Sequence, residues 1–250
     1  MNRNMTMTNG KTFFSSETAQ MSRRLVMIGS LALAIALPAI AQSPEIQEKL
    51  AAVKQAAAEN KLKIRQYQWV ETTQLTLKGD PKPPTKNSCV YGPDGKVQKT
   101  MIGAPPPPPS GGKMKQKVIA KKKAEMKDYM QDVKALLGTY LPPDPQKMQA
   151  DFQAGKVSLN PTPGGVNLIF ADYEQPGDKM TLTFDTATKK IKGLSINTYM
   201  GDEKDAVTLE VQMATLADGT SYESKSVLSA TAKQLVVTTI NSDYQKVGGN

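Results

Sequence analysis

The chain contains no histidine and a single cysteine, Cys89. Without histidine there is no Ser-His-Asp or Cys-His catalytic pair and no imidazole metal ligand. There is also no side chain whose ordinary pKa makes it a base near neutrality. One cysteine excludes an internal disulfide and a thiolate zinc cluster. Chemistry built on carboxylates alone needs Asp and Glu side chains that converge, and no acidic cluster supplies them. The densest acidic run, GDEKDA from Gly201 to Ala206, reads as a polar hairpin turn. These absences lead to the expectation of a non-enzymatic protein with no catalytic residue, no metal site and no cofactor.

Long apolar runs are equally scarce. The longest uncharged one, Leu25 to Leu37, follows Arg23 and Arg24 and leads into Pro-Ala-Ile-Ala-Gln. A basic stretch, a short apolar core and small residues at Ala39 and Ala41 make a secretory signal peptide. The run is too short for a bilayer span, which takes about 20 residues. Residue 42 is Gln, so no thiol stands ready for lipid attachment. Ser22-Arg23-Arg24 admits a twin-arginine route. Residues 1–20 lengthen the basic stretch, unless translation starts at Met21. Cleavage near Ala41 is expected to release residues 42–250 as one domain, periplasmic or secreted.

What is present has a clear order. SPEIQEKLAAVKQAAAEN predicts a helix: Ser43 suits the cap, Pro44 the first turn, and Ile46, Leu50, Val53 and Ala57 form one narrow apolar face. YQWVETTQLTL alternates, with Tyr67, Trp69, Thr73, Leu75 and Leu77 on one side, which predicts a long strand. Two shorter strands follow around Gly92-Pro93-Asp94-Gly95, a turn sequence. Residues 104–155 form an insertion. Pro105 to Pro109 favour an extended spacer. From Lys113 a helical stripe of Val118, Met126, Met130, Val133 and Leu137 is expected to bury, with Gly138 as its stop. A second short helix begins after Pro145. From Val157 six or seven short alternating runs with polar turns predict an antiparallel meander. Neither set of strands covers its own apolar face, so all are expected in one sheet. The fold class is α+β: a curved antiparallel sheet or incomplete β-barrel with an N-terminal helix and an inserted helical pair.

This order resembles the LolA/LolB-like periplasmic lipoprotein-carrier superfamily. The resemblance rests on IQEKLAAVKQAA before YQWVETTQLTL, on the hairpin LTFDTATKKIKGLSI and on the ending NSDYQKV. YQWVETT and YGPDGKVQKT also resemble segments of a family of exported bacterial proteins. The polyproline and lysine run departs from the carriers. The resemblance implies an apolar ligand, a lipid or the acyl chain of a lipoprotein, held in a partly open barrel. Tyr67, Trp69, Leu75, Leu209, Val211 and Met213 are the candidate lining. The alternative is an envelope interaction protein that uses the insertion, with Lys121, Lys122 and Lys123 meeting a partner or an anionic membrane surface. Nucleic acid is not an expected partner, because the chain is exported and its lysine run has no interleaved aromatics.

N-terminal sequencing of the exported protein should begin at Gln42. An uncleaved product retained in the inner membrane would overturn this reading in favour of an anchor.

Overall fold

The computed structural model describes residues 58–104 and 112–248, together with Gln55. These residues fall in one compact unit, Ala39–Asn250. The apolar run Leu25 to Leu37, the stripe of Ile46, Leu50, Val53 and Ala57, and Pro105 to Pro109 lie outside the described residues. The N-terminal helix α1 is described over residues 58–64. Four strands follow: β1 (Tyr67–Leu77), β2 (Asp80–Pro81), β3 (Thr85–Tyr91) and β4 (Val97–Ile102). Next come the helices α2 (Lys113–Tyr140) and α3 (Pro145–Gln153). Seven strands close the chain: β5 (Val157–Thr162), β6 (Gly165–Ala171), β7 (Lys179–Asp185), β8 (Ile191–Tyr199), β9 (Ala206–Thr215), β10 (Ser221–Ala230) and β11 (Leu235–Lys246).

All eleven strands join one sheet, in the order β4-β3-β1-β11-β10-β9-β8-β7-β6-β5, with β2 beside β1. Every pairing is antiparallel. The sheet is curved but not closed into a barrel, as its two edges β4 and β5 do not pair. Its two halves meet where β1 pairs with the last strand, Tyr67 opposite Lys246 and Leu77 opposite Leu235.

Alternation along each strand gives the sheet an apolar and a polar side. One row of directly opposed residues crosses seven strands: Leu75, Val237, Leu228, Leu209, Ile196, Met180 and Phe170. The row one residue along, Gln74, Thr238, Val227, Glu210, Ser195 and Thr181, faces away and is mostly polar. A register slip of one residue would exchange the two, so the core itself holds the register.

The insertion runs from one edge strand, β4, to the other, β5. It therefore has to cross the sheet, and it crosses on the apolar side. Val133, Leu137 and Tyr140 of α2 are buried in the same core as Met180, Ile196 and Leu209. Full burial of such an aliphatic side chain stabilises by about 1.5–3 kcal/mol. The expected stripe divides along its length. Met126 and Met130 are half-buried, and Val118 is 55% exposed. At 1.5 Å per residue α2 is about 42 Å long. It is anchored at its C-terminal end, so its first half runs past the surface that could cover Val118. Nor does α2 stop at Gly138. It continues to Tyr140, and Leu141 is extended (φ −127°, ψ 124°) because Pro142 disfavours helix in the residue before it. The short helix α3 begins as expected, with Asp144 capping it by accepting from the Gln146 N–H at 2.8 Å and Pro145 in its first turn.

The anchor of α2 is polar. Tyr140 is fully buried, and its hydroxyl donates to Asp178 Oδ2 at 2.5 Å and shares a hydrogen bond with Thr198 Oγ1 at 2.8 Å. Asp178 lies in the β6–β7 turn and is 2% exposed. It also accepts the backbone N–H groups of Tyr173, Glu174 and Gln175 at 2.5, 2.9 and 2.8 Å. Burial, then the hydrogen bond to Asp178, pushes the Tyr140 phenol well above its ordinary pKa, so it remains a donor. Farther up the helix, the Tyr129 hydroxyl donates to Asp205 Oδ1 at 2.8 Å.

Tyr140→Phe should lower unfolding stability by about 2 kcal/mol, because it leaves a buried carboxylate oxygen short of a charge-assisted partner. Urea denaturation checks this, and an unchanged midpoint would show the bond to be dispensable.

Acid should weaken the β7–β8 hairpin. Lys192 Nζ, 2.6 Å from Asp185 Oδ2, together with the N–H groups of Thr188 and Ala187, holds Asp185 down at about 2. A carboxyl lowered in the folded state adds stability above its unfolded value of 3.8, and that share is lost as pH falls towards 2. Asp185→Asn should flatten the fall in melting temperature over this window. An equal slope in both proteins would overturn the assignment.

Candidate functional site

The two sides of α2 do different work. Residues 129, 133, 136 and 140 lie on one side and face β7–β9 and their turns, as the contacts of Tyr129, Val133 and Tyr140 show. Residues 127, 130, 134, 137, 138 and 141 lie on the other and, with the sheet, enclose an open cleft of about 750 Å³. Its floor is apolar: Met130 and Leu137 from the helix, Leu141 just beyond it, and Leu228 from β10. Thr73 and Thr239, opposite one another on β1 and β11, form the far wall.

Charge collects at the rim. Lys99 of β4 is paired with Glu71 of β1, at 2.7 Å to Oε1 and 2.5 Å to Oε2. Lys127 and Lys134 carry no ion pair among the described residues and stand seven residues apart, two helical turns along the same side. Gly138 lies between the floor residues. A Cβ added there would meet nothing within 4 Å, so the glycine leaves that part of the cleft open. The site thus offers a greasy floor and, at its mouth, two ammonium groups without an ion pair among the described residues. Among the described residues no group of three or more Cys, Asp or Glu side chains is placed to hold a metal ion.

The residues singled out in the sequence lie elsewhere. Tyr67 and Trp69 are buried in an aromatic cluster. Trp69 stacks on Tyr244 at 5.5 Å and packs on Tyr91 at 5.4 Å, while Tyr222 lies 4.3 Å from Tyr244. Their polar tips are satisfied internally: Tyr67 donates to Asp218 Oδ2 at 2.6 Å, and Trp69 Nε1 to Asn241 Oδ1 at 3.1 Å. Leu209 is buried in the main core, with Leu75 and Val211 packed against it. Met213 is half-buried on β9. None of these six lines the cleft. Cys89 is fully buried opposite Trp69, and burial pushes its thiol up, which suits a packed small residue. Lys121, Lys122 and Lys123 are exposed on the first half of α2.

The cleft residues had a partial signal in the sequence. Met130 and Leu137 belong to the apolar stripe, and Lys127 and Lys134 flank it with the same seven-residue spacing. Leu141, Leu228 and Thr239 had none, because only the pairing of β10 with β11 and the end of α2 bring them together.

No family model and no curated protein matches the chain. Among solved structures, the chain is similar to a DUF1329 family protein from Desulfovibrio piger. That likeness has a TM-score of 0.34 and 10% sequence identity, covering 79% of this chain and 94% of the other.

Proposed function

We propose that the protein is a non-enzymatic binding protein for an amphipathic lipid or acyl chain with an anionic head, held in the cleft between α2 and the sheet. The observation that carries this reading is the pairing of an apolar floor with Lys127 and Lys134 at the rim, which have no ion pair among the described residues. A hydrocarbon chain against Met130, Leu137, Leu141 and Leu228 leaves water, at about 25 cal/mol per Å² of apolar surface buried. A carboxylate or phosphate at the mouth then meets the two ammonium groups in charge-assisted hydrogen bonds. A few placed polar groups on a mainly apolar concavity are the usual make-up of a small-molecule site. The occupant sits under the helix, not within a closed barrel.

The test is titration with oleate, read by displacement of a fluorescent fatty acid. The protein should bind oleate saturably and prefer it to oleyl alcohol. Gly138→Leu should weaken binding about tenfold or more by filling the cleft. It should not unfold the protein, because it also relieves a helical glycine, worth about 1 kcal/mol against alanine. Lys127→Gln with Lys134→Gln should remove the preference for oleate over the alcohol. No saturable binding, or equal binding by wild type and Gly138→Leu, would overturn the proposal.

A further inference from the structure

We infer that the first half of α2 is an arm that docks on an anionic bilayer surface. From residue 114 to residue 125 every described side chain except the half-buried Ile119 is exposed, although the segment is regular helix. It carries Lys115, Lys117, Lys121, Lys122 and Lys123 against one acid, Glu125. Among the described residues Lys115, Lys117, Lys122 and Lys123 have no ion pair, and Lys121 lies 4.0 Å from Glu125. Apolar side chains sit among them in the open: Met114 is 83% exposed and Val118, one turn later, 55%.

A helix stretch that buries little beyond part of Ile119 is weakly held by the core, and five like charges within three turns repel one another. Both costs are offset when a surface of opposite sign lies alongside. Lipid headgroups provide such a surface, and the acyl boundary beneath them takes up Met114 and Val118. Lys117 and Lys121 lie on the same side of the helix as Met114 and Val118, with Lys115 and Lys122 flanking it, so their stems reach past the apolar residues to the headgroups and the two kinds of side chain serve one contact. Each lysine near an anionic leaflet strengthens attachment about fivefold. The charge is also placed to act beside the cleft, since Lys123 stands one turn before Lys127 on its rim.

The experiment is co-sedimentation of the protein, purified from cells expressing the full sequence, with vesicles of phosphatidylcholine alone or mixed with phosphatidylglycerol. Binding should require phosphatidylglycerol and weaken as salt is raised. Lys117→Gln, Lys121→Gln and Lys122→Gln together should lower partitioning about a hundredfold. Met114→Ser with Val118→Ser should lower it further at unchanged helix content by circular dichroism. Equal binding to both vesicle types, or a triple variant that binds like wild type, would overturn the inference, as would an arm that captures an acidic protein but not the vesicles. The inference is independent of the cleft: Gly138→Leu should leave vesicle binding intact.

Discussion

A buried carboxylate determines where the long helix lies. Asp178 accepts three backbone N–H groups from its own turn and the hydroxyl of Tyr140 at the end of α2. The same turn is tied to β8, because the Gln175 side-chain amide donates to Thr198 Oγ1 and to the Tyr199 carbonyl, and the Tyr199 hydroxyl donates to the Pro176 carbonyl. A buried carboxyl group is costly unless its polar atoms are hydrogen-bonded. Asp178 meets that condition only when the turn and the helix end are both in place. Helix position and turn conformation therefore stabilise each other, and the depth of Val133 and Leu137 in the core follows from them.

With α2 held at one end, the rest of the apolar face divides into a covered and an open part. Towards β7 and β8 the helix covers Met180 and Ile196 within the core. Towards β1 and β11 it stands off, and the sheet beneath changes from leucine and valine to Thr73, Thr239 and Glu71. The cleft lies at that change. A second apolar helix could have closed it. Instead the neighbouring positions are Lys127, Gln131 and Lys134, which keep their heads in water while their stems edge the floor.

The aromatic cluster at the other end of β1 shows how much of the large apolar surface is structural. Tyr67, Trp69, Tyr91, Tyr222 and Tyr244 pack together where two strand irregularities occur, one between Gln68 and Val70 on the β1–β11 ladder and one between Glu223 and Lys225 on β10. Asp243 at positive φ belongs to the first of these. Bulges increase local twist and re-aim side chains, and here they accompany the stacking of Tyr244 on Trp69. Asn60 of α1 caps the same region, exchanging two hydrogen bonds with the backbone of Ser221 at 2.8 and 2.6 Å. Aromatic residues that looked like the lining of a cavity are thus packed with their polar tips bound.

The sequence by itself determined the α+β class, the strands, the Gly92–Gly95 turn, the short helix after Pro145 and the single sheet. Each rests on local signals, namely period-two alternation, turn chemistry and a cap, and on one global need, that neither half of the chain can cover its own apolar face. It also marked Met130, Leu137 and the exposed Lys121 to Lys123. Tertiary structure alone decided the rest. The stripe of α2 reads the same from Val118 to Leu137, yet only its second half is buried, because burial depends on where the helix is anchored and not on its own pattern. Gly138 looked like a stop because glycine ends many helices; the helix passes it since Tyr140, two residues later, has Asp178 to reach. The cleft joins Leu228 of β10 with Met130 of α2, residues with no shared period. Only the pairing of β11 with β1 and the crossing of α2 from edge to edge bring them to one place.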